Sequence, residues 1–439
     1  MPVATRLIPV IPYAERAERL RAVLDRGASF DASVEDAARR IIEEVRRDGD
    51  AALAALTERF DGVRPAALRV PAEALDAALD ATDPDLRAII EEAAANVRRF
   101  HEQQRERSWF TEDGDGVVLG QRIVPMERVG LYVPGGTAAY PSSVLMNVIP
   151  AQVAGVDALH LVSPPRADGS ADAGLPHPLV LATARLLGVE HVYAVGGAQA
   201  VAALAFGTDT IPRVDKIVGP GNAYVAAAKK LVYGTVDIDS IAGPSEIVVL
   251  ADDTADARFV AADLLSQAEH DVRASAILVT PSAALAEAVQ DAVEQLVPTL
   301  SRRAIIERAL ADYSACVVTG TMGEAVDFVN ELAPEHLEII TADPWATMGG
   351  VCHAGAIFLG SASAEPVGDY FAGPNHVLPT GGTARYASAL GVHDFVRRQS
   401  VIAYSESRLA EAGERIARFA DAEGLDAHAL AIRVRLDAE

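Results

Sequence analysis

Cysteine is almost missing from this chain. The two present in 439 residues, Cys316 and Cys352, have neither CxxC nor metal-ligand spacing, which makes a disulfide framework implausible. They read as structural thiols of a reducing compartment. Positive charge is also scarce. Lys and Arg number 38 against 62 Asp and Glu, for a net charge of −24. So acidic a surface repels phosphate backbones and anionic membranes, so neither nucleic acid nor a membrane is an expected partner. A phosphate-bearing ligand would have to be held by local backbone amides. Long apolar runs are missing too. The run at 144–156 is interrupted by Asn147, Pro150 and Gln152, and no stretch nears the ~18 apolar residues of a membrane span. The first thirteen residues hold no uninterrupted apolar segment and lead straight into Glu15, Arg16, Glu18 and Arg19. No signal peptide is expected, and the chain reads as cytoplasmic. No tandem repeat or low-complexity tract is apparent beyond a richness in alanine.

What is present is ordinary for a large globular enzyme. Half the residues are apolar and 23% charged, and the length suits two or more domains. Residues 1 to about 110 read as helical, with three-and-four apolar spacing at 14–25, 34–47, 51–60 and 86–107. Ser33, three before Asp36, suggests a helix start there. Near Val117 the texture changes, and 117–119 with 122–124 look like a short hairpin. Strand-helix alternation follows from Val129 to about residue 359, implying parallel sheets with right-handed crossovers. The strands are too many for one doubly wound sheet. Gly and Pro cluster at 361–384, which reads as a long functional loop. From about Asp394 the chain reads as a strand-poor helical tail.

Several strings carry chemistry. Ser266-Gln267-Ala268-Glu269-His270 ends an apolar helical run, and Gln267 and His270, three apart, would share a helix face. They are either half of a metal site or a capped helix end with a solvated His. Three Gly-bearing turns follow strands: Pro134-Gly135-Gly136, Gly196-Gly197-Ala198-Gln199 and Gly219-Pro220-Gly221-Asn222. Glycines admit close backbone approach, and helix N-termini favour phosphate. None is a G-x-G-x-x-G with a ribose-binding acid, so a standard dinucleotide fingerprint is not supported. Glu335-His336 puts a carboxylate beside an imidazole at a strand mouth, which is either a pair of bases or an ordinary ion pair. Asp369 and His376 lie in the Gly/Pro-rich loop, and His428 near the end. Taken singly, each reads as solvated. His101, His160, His177, His191, His353 and His393 have no partner pattern and read as structural.

In combination and in order, these strings resemble the histidinol dehydrogenase family. The likeness runs through Ile238-Asp239-Ser240-Ile241-Ala242-Gly243-Pro244-Ser245-Glu246 to His270, the three Gly turns, Pro334-Glu335-His336-Leu337, and Asn375-His376-Val377-Leu378-Pro379-Thr380. The resemblance implies two incomplete doubly wound, Rossmann-like α/β domains. One would comprise 28–130 plus 248–390, carrying metal and catalytic residues. The other would span 131–247 with the NAD turns, flanked by a helical arm at 1–27 and a helical tail at 391–439. It implies oxidation of L-histidinol to L-histidine, the last step of histidine biosynthesis, with one zinc per subunit and two NAD. By the same likeness Gln267, His270 and Asp369 are zinc ligands, and His428 is the fourth, donated by the second subunit of a homodimer. Tyr132, Gln199 and Asn222 match NAD contacts. Ser245, His376 and Glu423 match substrate contacts, the last from the partner's tail, and the metal ligands and His336 also face substrate. Glu335 and His336 match the catalytic bases, with His336 expected to begin neutral and activity to rise above neutral pH. A paralogous dehydrogenase of another small polar alcohol and, from another class, a zinc hydrolase are the alternatives. A binding protein would not need Glu335 beside His336.

Overall fold

The computed structural model describes residues 6–26, 32–114, 116–135, 139–170 and 173–437. Fourteen strands are found among them. In chain order they are β1 Val10–Pro12, β2 Trp109–Glu112, β3 Val118–Pro125, β4 Arg128–Tyr132, β5 Ala158–Ser163, β6 His191–Ala194 and β7 Lys216–Val218. Then come β8 Asp237–Ile238, β9 Glu246–Ala251, β10 Ser275–Thr280, β11 Ala315–Val318, β12 His336–Ile340, β13 Ala356–Leu359 and β14 Val396–Ala403.

Two wholly parallel sheets carry most of them. One has the order β1-β11-β10-β9-β12-β13, the other β6-β5-β4-β7-β8. The central strand β9, Glu-Ile-Val-Val-Leu-Ala, is buried at every position. A β-branched run without alternation is what helices on both faces demand. In the first sheet the chain moves outward from β9 to β10 and β11, then returns to place β12 on the other side of β9. Glu246 and His336, the first residues of these neighbouring strands, therefore sit at the same edge, with His336 in register with Ile247.

The chain divides into two compact units, Met1–Gln104 with Glu127–Phe395, and Arg105–Met126 with Val396–Glu439. The first holds both parallel sheets. The second holds an antiparallel sheet, β14-β3-β2, and the helices Glu406–Ala422 and Asp426–Leu436.

Several expectations need correction. The supposed hairpin at 117–124 is a single strand, β3, which pairs with β2 and, over its full length, with β14. Gly120 makes the strand look broken in sequence, yet a side chain there would strike the Phe110 ring and the Trp109 carbonyl. The tail is less strand-poor than expected, since β14 opens it. The N-terminal segment is not all helix, because Val10–Pro12 closes an edge of the first sheet against β11. The single apolar helix expected at 14–25 is a 3-10 turn and two short helices. By contrast, the two helices expected at 34–47 and 51–60 are found, within Ala32–Asp61, separated by a non-helical break at Gly49 (φ 53°, ψ −131°). Ser33 lies inside the first rather than before it.

Candidate active site and metal centre

Gln267 lies in the last turn of the helix Ala257–Ala268 and is fully buried. His270 is not on that helix. It lies two residues beyond, on a turn in which its N–H bonds the Gln267 carbonyl at 3.2 Å. The turn still brings the two residues to one place, at the helix C-terminus, where unpaired carbonyls favour a cation. The Gly/Pro-rich loop supplies the rest. It forms a short helix, Glu365–Val367, then a π-helical turn, Gly368–Ala372. Asn375 pins the loop by donating to the Met146 carbonyl at 2.7 Å and accepting from Val377 N–H at 2.9 Å. Ligand atoms of His270, Glu365 and Asp369 all lie within 4.8 Å of one another.

Glu365 has no place in the motifs above. Its carboxylate accepts from the Ser266 hydroxyl at 3.1 Å. With the Gln267 amide turned to suit its neighbours, its nitrogen donates to the two Glu365 oxygens at 3.0 and 3.3 Å. Burial, then the nearby Asp369, pushes the Glu365 carboxyl up to about 8. Carboxylates so crowded, beside an imidazole, suit a cation.

His336 begins β12 and Glu335 directly precedes it, and in an extended chain adjacent side chains would leave on opposite faces. The Glu246 backbone brings both to one wall. Its N–H donates to Glu335 Oε2 at 3.0 Å, and its carbonyl lies 3.1 Å from His336 Nδ1. The tautomer that donates to this carbonyl carries the proton on Nδ1, although the turned Gln267 nitrogen, 3.1 Å from the same atom, favours the other. In the neutral ring the lone pair is then on Nε2, which is buried with no hydrogen-bond partner among the described residues. Nε2 lies 3.7 Å from Glu365 and 3.9 Å from Asp369. Desolvation lowers the His336 pKa to about 4 despite the pull of Asp369. The ring is therefore already neutral well below pH 7, not poised near it. Glu335 is raised well above the carboxylate range, first by burial, then by Glu246, Glu365 and Asp369.

A cavity of about 450 Å³ opens beside these groups, lined by His336, Asp369 and His376 and by the apolar Phe358, Leu378 and Leu390. His376 Nε2 faces it without a partner among the described residues. Ser245 directly precedes β9, its carbonyl accepting from Ser275 N–H at 3.0 Å.

The Gly-bearing turns lie at the carboxyl ends of β4, β6 and β7 in the other sheet. Gly136 falls outside the described residues. The Tyr132 hydroxyl accepts from Gly197 N–H at 3.0 Å. Gln199 is 1% exposed, yet neither side-chain polar atom has a partner among the described residues. Buried amides are seldom left so, and the vacancy fits a polar ligand. Asn222 caps the helix Ala223–Val232, its Oδ1 accepting from Tyr224 and Val225 N–H at 3.0 and 3.2 Å. Glu423 and His428 are exposed on the second compact unit.

Comparison with known proteins decides the family. The pattern described as histidinol dehydrogenase matches residues 24–436. A histidinol dehydrogenase of Geobacillus kaustophilus is 58% identical over 425 residues, covering 96% of this chain and 99% of that one. The chain belongs to the histidinol dehydrogenase family. It is accordingly an oxidoreductase. The enzyme of that name from Halalkalibacterium halodurans is 57% identical, covering 96% of this chain and 97% of its own. A crystal structure of histidinol dehydrogenase from Elizabethkingia anophelis superposes with a TM-score of 0.91 at 35% identity, covering 99% of both chains.

Among the residues with no partner pattern, His177 caps the helix Pro178–Leu186, and His160 stacks on His191 at 4.8 Å. These roles are structural.

Proposed function

We propose that this histidinol dehydrogenase family member is a zinc-dependent enzyme of the cytoplasm that oxidises L-histidinol to L-histidine through L-histidinaldehyde. It uses two NAD and completes histidine biosynthesis. The observation that carries this reading is one wall holding Glu335 and His336, set by the backbone of a single residue, beside the His270, Glu365 and Asp369 cluster.

Gln267, His270 and Asp369 would hold the metal, with His428 from a second copy. Bound there, zinc would supply orientation and charge stabilisation for a polar substrate. Zinc being redox-inert, a nicotinamide would accept the hydride, with Tyr132, Gln199 and Asn222 as its contacts. The first sheet would thus hold metal and bases, and the second the cofactor turns. Ser245, His376 and a second copy's Glu423 would hold substrate.

The chain's own residues then move the protons. His336 Nε2 takes the alcohol proton as hydride leaves the carbinol carbon, giving the aldehyde. Glu335 takes a proton from the water that adds to the aldehyde, and His336 gives its proton to the carbonyl oxygen, yielding the hydrate and a neutral ring again. His336 takes the proton of the second oxidation, giving the acid.

The measurement is NADH formed per L-histidinol before and after chelation. Two per substrate, lost on chelation and restored by zinc, is expected. No NADH from histidinol would favour a paralogous alcohol, and turnover without NAD would favour a hydrolase. Sharing of sites in a homodimer is tested separately. Mixing His270→Ala and His428→Ala subunits leaves one intact site per mixed dimer, so activity should return to about a quarter of wild type. No recovery, with mixed dimers demonstrated, would remove the shared site.

A further inference from the structure

Arg26 is a cation buried beneath the catalytic wall. Its side chain is 4% exposed and lies 3.4 Å from the Glu246 carboxylate, itself 6% exposed. The guanidinium also donates to Ser275 Oγ at 3.1 Å and to the Arg273 carbonyl, and lies over the Tyr313 ring at 5.1 Å. A buried ion pair of this kind is weak evidence for stability, because desolvating both charges offsets their attraction. Its position says more. Both backbone polar groups of Glu246, on the two peptides that flank its Cα, are committed to the site, the N–H to Glu335 and the carbonyl to His336. The side chain of the same residue is the handle by which that backbone is held.

We propose that Arg26 is a positioning residue for the catalytic pair: by anchoring the Glu246 carboxylate, it fixes the backbone that aims Glu335 and His336 into the cavity. Arg26 is not among the residues lining the cavity. It acts through Glu246, and its removal leaves a buried anion without a counter-ion. That carboxylate must then take up a proton or move, and either change loosens the hold on its backbone N–H and carbonyl. The bland alternative is that Arg26 merely ties residues before position 27 to the sheet.

The inference rests on the histidinol-oxidising reading, which wild-type turnover of L-histidinol tests by itself. In the full-length zinc-loaded enzyme, Arg26→Met should lower kcat on the order of 10²-fold, the cost of a reacting group misplaced by about 1 Å. KM for histidinol and zinc content should stay near wild type. Arg26→Lys should restore most of kcat. Combining Arg26→Met with Glu246→Gln should recover roughly tenfold over Arg26→Met alone, since the uncompensated charge is gone. Should Arg26→Met not fold, Glu246→Gln alone keeps the question open to test, with kcat expected to fall about tenfold at unchanged KM. Wild-type kcat in Arg26→Met or in Glu246→Gln overturns the proposal. So does a loss equal in Arg26→Met, Arg26→Lys and the double variant that follows only the folded fraction.

Discussion

Glu365 accepts from the Ser266 hydroxyl and the Gln267 amide, and so decides which way Gln267 presents its carbonyl oxygen. In the proposed zinc site Gln267 is a ligand, so a carboxylate that orients its amide would act at one remove, and such supports matter nearly as much as ligands. Glu365→Ala should weaken zinc binding by about 10–100-fold, read by competition with a chelator. Affinity within twofold of wild type would contradict this. Gln267 and His270 were legible as candidates because they stand three apart, whereas Asp369 became one only through the family resemblance. Glu365 was not, because it meets Ser266 across 99 residues and sits in an Ala-Glu-Pro string with no spacing rule. Nor could the sequence tell that His336 would be pushed down to about 4, since that depends on burial contributed by remote elements.

Among the elements, the turn Gly219-Pro220-Gly221-Asn222 is the most tightly determined. Gly219 has φ +110°, and a Cβ there would sit 2.1 Å from the Tyr132 carbonyl oxygen. Lys229, buried, donates to the Gly219 carbonyl at 3.0 Å and pairs with Asp239, which accepts Gly219 N–H at 2.7 Å. Gly219→Ala should destabilise the fold by about 1–3 kcal/mol, the usual cost of such backbone strain. It should also weaken NADH binding. Denaturant titration and cofactor fluorescence measure the two, and unchanged values for both would refute the turn's role. Most strands and helices of the alternating region were readable, because an apolar run closed by a Gly turn and followed by a helical period has few other folds. The short strands were not. Val10–Pro12 and Asp237–Ile238 owe their strand state to neighbours, since neither is long enough to show a period.

In the whole molecule, buried acids couple stability to pH. Glu365 is pushed up to about 8, and Glu338, beside Asp263, is also well above the carboxylate range through burial. The native state thus keeps protons that the unfolded chain releases above about pH 4.5, so stability is full below that value and declines as pH rises through the folded pKa. The metal-free protein should show a Tm falling between about pH 5 and 9, less steeply in Glu338→Gln and less steeply with zinc bound. A Tm rising over that range would reverse the assignment. The edge strand β1 has a consequence in time. Val10 pairs with Cys316, so the first strand made waits for a partner roughly 300 residues downstream. At ribosomal rates of about 5–20 residues per second that is on the order of 15–60 s. Until then the β10 side of the nascent sheet is open to other chains, and a polypeptide begun after Pro12 would leave the β11 edge bare permanently. This short strand thus cannot take its place until β11 is made, and from then on it guards that edge against association during synthesis.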